Sequence, residues 1–364
     1  MNIAWFIVIL ILFIYAESMI YSKWGLNRLI YSRRFNTKRT FPNQKVEMID
    51  EITNHKLLPI PWVRLESKID PSLQIEGDYK QESESFHRTL FSLLPYQKIT
   101  RRHQLTCTKR GVYHLDTVAL TLGDMFGVVD KYRSVETNAT LKVYPQLLSY
   151  QDLTLPAQQF IGEQSVKRWI IDDPFLKVGT RDYQTTDPAD RINWKASARA
   201  PKIQVNQHDH TADRDIVLLM NADQTEDIWL PIDDVDVFER LIQTTATIAH
   251  YLSSNGEGFG FGTNAIKRKE SHLNQKSFVT LPADNGDAHF YQFLDTTAEL
   301  IAKRSRNFHY LLDHYLEEVL DTTDFLIITP IQTPAMDERI DQLRSKGHRV
   351  DLLFVYGDRK EHAS

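Results

Sequence analysis

An apolar run at the N-terminus constrains this chain more than any other feature. Residues Ile3 to Ala16, IAWFIVILILFIYA, include no charged side chain, and the apolar character continues with few interruptions to Tyr21. This length approaches the ~20 residues that an α-helix needs to cross a bilayer. The sequence therefore predicts a transmembrane anchor over residues 1–24, in which Glu17 lies near an interface where its carboxylate reaches water.

A secretory signal peptide is the rival interpretation of the same run. It requires a basic region before the apolar segment and a small-x-small cleavage site after it. Met1 and Asn2 carry no basic side chain, and Ile14-Tyr15-Ala16 has no small residue at its first position. We therefore expect the anchor to remain uncleaved.

Basic residues follow the anchor and predict its orientation. Six of them occur before any acidic residue: Lys23, Arg28, Arg33, Arg34, Lys38 and Arg39. Positive flanks stay on the cytoplasmic side of a membrane. The expected protein is thus single-pass in the cell membrane, with its bulk in the cytoplasm, and the same basic flank suits anionic headgroups.

Charge and cysteine content exclude some functions. The formal net charge is −5, whereas nucleic-acid-binding domains are usually basic. The single cysteine, Cys107, excludes an intrachain disulfide and a metal cluster of several cysteines. We expect no nucleic-acid partner.

Residues 25–150 are predicted to form a β-rich domain, because from about Phe41 to Gln146 apolar and polar side chains mostly alternate between Pro, Gly and Asn. This period of two is typical of short antiparallel strands, and several of them over ~100 residues favour a β-sandwich. The sandwich would bury Ile52, Trp62 and Leu65 on its inner face, whereas the basic side chains of Lys98 to Arg110 would face outward.

Residues 214–364 change to strands that alternate with helices, beginning with the apolar DIVLLMNA. Such alternation predicts a largely parallel sheet of Rossmann type, covered by helices on both faces. Ligands of these sheets bind beyond the carboxyl ends of the strands. The relevant loops therefore follow Met220, Ala265, Ile328 and Val355.

Residues 151–213 form a connector that contains the charged run TRDYQTTDPADRINWKASARAPK. Asp187 followed by Pro188 predicts the start of a helix that continues to Arg199. On that helix Arg191, Lys195 and Arg199 would form one basic stripe, because they are four residues apart. We prefer an internal clamp in which Arg181, Arg191 and Arg199 pair with Asp182, Asp187 or Asp190. Partner binding is second and catalysis a distant third.

The same segment resembles the signature of the DUF58 family. The matching positions are Gly179, Arg181, Tyr183, Asp187, Ile192, Trp194, Ser197, Ala198 and Arg199. Thr186 and Asp190 depart from the pattern, where the family usually has Gly and Arg. The resemblance implies a membrane-anchored bacterial protein with a von Willebrand factor A-like terminal domain. It also implies a MoxR-type AAA+ ATPase as partner, with other membrane proteins as further partners.

Domains of the von Willebrand factor A type commonly hold Mg²⁺ through oxygen ligands that follow the first strand. Here the matching positions are Asn221, Asp223 and Thr225, with Thr329 after a later strand. An amide replaces the first carboxylate, so we expect the metal site to be lost, with weak Mg²⁺ binding as the alternative. The alternative function is accordingly metal-dependent adhesion.

Other candidates are weaker. The GEGFGFG run from Gly256 to Gly262 lacks the Lys-Ser/Thr of a phosphate-binding loop and predicts a turn into a buried strand. His208 and His210 have a spacing that suits a metal, but a hydrated loop that enters the first α/β strand is the simpler explanation. No hydrolase motif occurs in the sequence. The sequence therefore favours a non-enzymatic interaction or assembly factor that acts with the ATPase in protein maturation or envelope processes.

Overall fold

The computed structural model describes residues 3–76, 86–127, 130–160, 162, 177–183, 193–208, 216–226, 232–268, 277–318 and 323–356. The chain divides into two compact units. Unit 1 comprises Met1–Gln146 and Leu294–Leu300, and unit 2 comprises Leu147–Phe293 and Ile301–Ser364.

Unit 1 begins with helix α1, Ile3–Trp24. Over Trp5–Trp24 it is, within the described ranges, the one helix long and apolar enough to cross a membrane. The side chains before residue 16 are almost all exposed, whereas Ser18 and Tyr21 are buried. The last two turns of α1 therefore belong to the fold of unit 1.

Two sheets follow α1. The first has the order β1-β3-β7-β5, and the second has the order β2-β9-β8-β4-β6. The strands of the first are β1 (Leu29–Phe35), β3 (Lys45–Asn54), β5 (Leu73–Ile75) and β7 (Lys98–Cys107). Those of the second are β2 (Arg39–Thr40), β4 (Ile60–Lys68), β6 (Phe86–Leu93), β8 (Gly111–Gly123) and β9 (Asp130–Val143).

The core of unit 1 lies between these sheets, because its buried clusters combine side chains from both. Ile52 and Leu65 are buried as predicted, and β6 alternates exposed and buried side chains along its whole length. Trp62 is only half-buried. Its indole covers the backbone at Gly123, where a Cβ atom would collide with the ring.

Unit 2 contains a mixed five-stranded sheet with the order β15-β13-β12-β17-β18. Strands β12 (Ile216–Met220), β13 (Phe259–Thr263), β17 (Asp324–Thr329) and β18 (Arg349–Phe354) are parallel. The edge strand β15 (Val279–Asp284) is antiparallel to β13. All five residues of β12 are buried, as expected for a central strand that is covered on both faces.

The helices that follow in the chain are α2 (Trp194–Ser197), α3 (Val235–Ser254), α4 (Asp287–Glu299), α5 (His309–Glu318) and α6 (Pro334–Ser345). Residues Leu294–Glu299 of α4 belong to unit 1, and the other helices belong to unit 2. Asp234 caps α3, and Gly256 has a φ of +75° just after its end. Two further strand pairs occur in this part of the chain. They are β10 (Lys177–Asp182) with β11 (Gln204–His208), and β14 (Ala265–Lys267) with β16 (Leu300–Arg304).

One helix is shorter than the sequence indicates. The helical pattern runs to Arg306, but α4 ends at Glu299 and the chain continues as β16. The pairing of β16 with β14 explains the change, because tertiary strand pairing overrides a weak local helix preference.

Candidate functional site

The signature segment is a strand pair with a short helix. Strands β10 and β11 are antiparallel, and Arg181 lies opposite Val205. Asn193 caps α2 by accepting a hydrogen bond from the amide of Ala196 at 3.0 Å. Its φ of −89° and ψ of 88° are not helical. A continuous helix from Pro188 to Arg199 is therefore wrong, and the proposed cap Asp187 lies outside the described residues.

The basic stripe is correspondingly shorter than predicted. Lys195 lies in α2, whereas Arg199 lies beyond its C-cap, and both are exposed. Arg191 lies outside the described residues. Trp194, the first residue of α2, is 70% exposed. The described part of the segment thus presents to solvent an indole and three cations, which are Lys195, Arg199 and Lys202.

Only some residues of the predicted internal clamp lie in the described part of the chain. Asp182 accepts a hydrogen bond from Gln204 at 2.6 Å and lies 3.4 Å from the amine of Lys202. These two contacts hold the pKa of Asp182 below its usual range. Tyr183, which is half-buried, donates its backbone amide to Ile203. The arginine partners proposed for the clamp stay a prediction.

The carboxyl ends of β12 and β17 bring three of the four candidate metal ligands together. The amide nitrogen of Asn221 donates to the hydroxyl of Thr329 at 2.9 Å, and the amide oxygen of Asn221 accepts the backbone N–H of Asp223 at 2.8 Å. All three residues are buried. Their polar atoms thus bond to one another at the sheet edge where the sequence predicts a ligand.

Asp223 is held by donors from three directions. Its carboxylate accepts the backbone N–H of Phe308 at 2.7 Å, the side-chain amide of Asn264 at 2.7 Å and the guanidinium of Arg304 at 3.2 Å. The guanidinium also donates to the backbone oxygen of Thr225 at 3.1 Å. Burial raises the pKa of Asp223, while the three donors oppose that rise.

This donor set does not suit Mg²⁺. A divalent magnesium ion requires several oxygen ligands around one point. Here the single carboxylate already binds a positive side chain, and the Asn221 oxygen is directed at a backbone N–H. Arg304 therefore supplies the positive charge beside Asp223.

Three residues of this cluster were not identified from the sequence. Asn264 follows the buried strand β13, so a polar residue at a strand end is the signal that identifies it. Arg304 and Phe308 have no such signal, because they come from β16 and from the turn before α5. Sequence separations of 81 and 85 residues from Asp223 conceal these contacts.

A second polar cluster is buried in unit 1. The guanidinium of Arg33 binds both carboxylate oxygens of Asp50, at 2.7 and 3.0 Å, and donates to Ser67 at 2.7 Å. The hydroxyl of Tyr31 also donates to Asp50 at 2.7 Å. Arg33 is therefore an internal cation, which corrects its assignment to the exposed basic flank.

Two imidazoles border this cluster. His103 lies 3.6 Å from Asp50, and its ring centroid is 4.7 Å from that of His87. Ligand atoms of Asp50, His87 and His103 lie within 4.8 Å of one another. Arg33 occupies the carboxylate, however, and the hydroxyl of Thr89 lies 2.9 Å from Nε2 of His87. The cluster therefore fits a hydrogen-bonded polar core better than a metal centre.

The C-terminal end of α1 is held by a buried lysine. Lys56 donates hydrogen bonds to the carbonyl oxygens of Trp24, Gly25 and Asn27. Cations are favoured at helix C-termini, where carbonyl groups lack helical partners. Burial and the charge of Arg133 lower the pKa of Lys56 to about 8.

Comparison with known proteins identifies relatives of this chain. The uncharacterized protein YeaD of Bacillus subtilis (strain 168) is 24% identical over 278 residues, which cover 74% of this chain and 63% of YeaD. This chain therefore spans less than two thirds of that relative.

Solved structures resemble about a third of the chain. The CARDB domain of the PF1109 protein from Pyrococcus furiosus is 18% identical and has a TM-score of 0.20, covering 32% of this chain and 96% of that one. A non-cellulosomal cohesin from Archaeoglobus fulgidus is 12% identical with a TM-score of 0.22, covering 34% and 93%.

The family match covers the part of the chain that contains the signature segment and the α/β sheet. The family described as "Protein of unknown function DUF58" matches residues 179–362, which is just over half of the chain. The match begins at Gly179, the first residue of the signature, and continues through β18. The chain belongs to the DUF58 family.

Proposed function

We propose that this protein is a membrane-anchored, non-enzymatic assembly factor that binds a MoxR-type AAA+ ATPase. The observation that carries the proposal is the exposure of Trp194 beside Lys195 and Arg199 in the family signature. Exposed indoles and arginines are the side chains that dominate binding energy in protein interfaces. Two cations beside the indole suit an acidic surface on the partner.

The α/β unit is proposed to be a von Willebrand factor A-like module. Four parallel strands with polar residues at their carboxyl ends support this assignment. Because Arg304 supplies a fixed positive charge beside Asp223, the proposed module binds its partner without a metal ion. Protein maturation or envelope assembly is the process in which the module would act.

Helix α1 is proposed to place both units on the cytoplasmic side. Lys23 and Arg28 are exposed next to the end of the helix, and no acidic residue lies between them. Such a flank favours the cytoplasm. An ATPase that requires cytoplasmic nucleotide would then be accessible to the signature segment.

Affinity purification tests the partner. The full chain is purified from solubilised membranes with and without ATP, and co-purifying proteins are identified by mass spectrometry. We expect a MoxR-type ATPase in the wild-type sample and at least a tenfold lower recovery with Trp194→Ala or with Lys195→Glu and Arg199→Glu combined. One tenfold change corresponds to about 1.4 kcal/mol of binding free energy.

Arg102→Glu is the matched control, because Arg102 is an exposed basic residue of β7. It should leave the recovery unchanged. Absence of any AAA+ ATPase from the wild-type sample would refute the partner. Equal recovery from all variants would exclude the signature segment as its binding site.

A further inference from the structure

We infer that the end of unit 1 around α1 is a lipid-binding surface whose loops enter the phospholipid bilayer together with the helix. This inference rests on the membrane anchoring in the proposed function and extends it from the helix to the folded β-rich unit. It assigns bilayer lipid as the occupant of an apolar face that is exposed in the described part of unit 1.

Two loops of unit 1 are attached to the last turns of α1. In the β8–β9 loop, the backbone N–H of Met125 donates to Glu17 at 3.1 Å, and the side chain of Asp124 accepts a hydrogen bond from Ser18. In the β3–β4 loop, Lys56 binds the carbonyl groups at the end of the helix. The hydroxyl of Tyr21 donates to the carbonyl of Pro59 at 3.1 Å.

The β6–β7 loop joins them through the β3–β4 loop. The backbone N–H of Tyr96 donates to Lys56 at 3.3 Å, and Asn54 donates to the carbonyl groups of Leu58 and Leu94 at 2.9 and 3.0 Å. These contacts fix the loops to one another and to α1.

The same loops expose large apolar side chains. Leu57 is 75% exposed, Met125 is 70% exposed and Leu94 is 66% exposed. Phe126, Tyr96 and Trp24 are exposed beside them. Soluble surfaces rarely collect so many large apolar side chains, so a patch of this kind marks a protein or membrane contact.

The apolar length of α1 indicates that this patch contacts the membrane and not another protein. The clean apolar run Ile3–Ala16 rises only ~21 Å at 1.5 Å per residue, whereas the hydrocarbon core is ~30 Å thick. A helix that spans this core must therefore place roughly 9 Å more of its length in the hydrocarbon. That additional part begins at Glu17. If the bilayer thins instead, Glu17 lies at the hydrocarbon boundary. Met125 contacts Glu17, so its loop reaches the lipid in both cases.

The surroundings of the helix end suit lipid headgroups as well. An open cleft of about 440 Å³ lies between α1 and the β3–β4 loop, lined by Ile20, Trp24, Lys56, Leu57, Leu58 and Pro59. Lys23 and Arg28 are exposed nearby in sequence. Apolar side chains with flanking cations and an interfacial Trp are typical of contact with anionic phospholipid.

Depth-dependent fluorescence quenching tests the surface. The full chain carries one introduced cysteine, Met125→Cys or Leu94→Cys, labelled with an environment-sensitive dye. It is reconstituted into phosphatidylcholine and phosphatidylglycerol vesicles whose acyl chains carry nitroxide quenchers. The unsubstituted chain is the blank, because its own cysteine, Cys107, is buried. We expect quenching at both positions of at least half the extent found for a label at Phe13→Cys in α1.

Phe86→Cys is the matched control. Phe86 is also exposed and apolar, but it begins β6, whereas Leu94 follows the other end of that strand. Eight residues of β-strand separate the two ends by roughly 25 Å. A label at Phe86 should be quenched several times less than one at Leu94.

The possible outcomes distinguish failure of the lipid-binding surface from failure of the membrane anchor. Quenching at Phe13 with Met125 and Leu94 no different from Phe86 would overturn the lipid-binding surface while leaving the anchor in place. Failure of the label at Phe13 to be quenched would overturn both the anchor and the surface. Loss of ATPase recovery is independent of either result, because it is measured with variants of unit 2.

Discussion

The guanidinium of Arg304 lies 3.2 Å from the carboxylate of Asp223, and their side chains are only 5% and 8% exposed. The pair lies at the carboxyl edge of the parallel strands, where this class of sheet ordinarily binds ligands. A permanent side-chain cation therefore lies beside Asp223, the one carboxylate of the metal site that the sequence predicts to be lost.

Removing this cation should destabilise unit 2. Arg304→Met leaves a buried carboxylate without its charged partner, which typically costs about 3–5 kcal/mol of folding free energy. Urea unfolding of the detergent-solubilised chain, followed by hydrogen exchange in β12 and β17, measures the loss. Arg349→Met is the control, because the Arg349–Asp351 pair is partly exposed and should contribute less than about 1 kcal/mol. Equal losses in the two variants would contradict an internal role for Arg304.

The wild-type chain should show no saturable binding of Mn²⁺ at millimolar concentration. The cause is electrostatic, since Arg304 already neutralises Asp223 and repels a second cation. Electron paramagnetic resonance of free Mn²⁺ measures the binding, with Asp223→Asn as reference. Saturable binding in the wild type that disappears in Asp223→Asn would restore the adhesion-type metal site.

Asp50, which forms the buried ion pair of unit 1, can be compared with the next residue, Glu51, whose ion-pair partners are exposed. Asp50→Asn should cost about 3–5 kcal/mol, because the side chain of Arg33 is 1% exposed and loses its only charged acceptor among the described contacts. Glu51→Gln should cost much less, because its partners Arg34 and Lys98 are exposed. Thermal unfolding of both variants provides the test. A small effect of Asp50→Asn would mean that Arg33 finds another partner.

Acidification should weaken the packing around His103. Burial and the neighbouring His87 lower the pKa of His103 from its ordinary value of 6.5. Between that value and the lowered one, the unfolded chain binds more protons than the folded chain. The free energy of unfolding should thus be highest above pH 6.5 and fall as the pH decreases through this interval. Urea midpoints measured against pH should show a shallower slope in His103→Gln, and an unchanged slope would assign the dependence to other groups.

Cys107 should resist alkylation in the folded chain. Burial raises the pKa of its thiol to about 11, so the reactive thiolate is scarce at pH 8. Iodoacetamide labelling followed by mass spectrometry should modify Cys107 at least a hundredfold faster in urea than in its absence. Rapid labelling of the native protein would show that the end of β7 opens.

Local patterns predicted the regular parts of this fold. The alternation in β6 and the continuous apolar run of β12 each reflect the environment of a strand, and both are present in the structure. The apolar length of α1 follows from the same kind of pattern. Such features depend on residues that are close in sequence, so one segment suffices to identify them.

Features that depend on contacts between residues far apart in the sequence were harder to predict from it. Arg33 belongs to a basic run in the sequence, but strand pairing places it beside Asp50 in the interior. Asp223 is identified as a ligand by its position after β12, whereas its actual cation comes from β16. Asn193 rather than Asp187 precedes α2, because hydrogen bonds with β11 shape the segment.

The three carbonyl contacts of Lys56 also have a mechanical consequence. They join the end of α1 to the β3–β4 loop, so the helix and the β-rich unit change direction together. Helices in thin and thick bilayers tilt by different angles to match their apolar length to the hydrocarbon. In the membrane-anchored protein that we propose, membrane thickness would therefore set the angle at which this unit projects from the surface. Lipid composition would then control how the unit is presented to a partner.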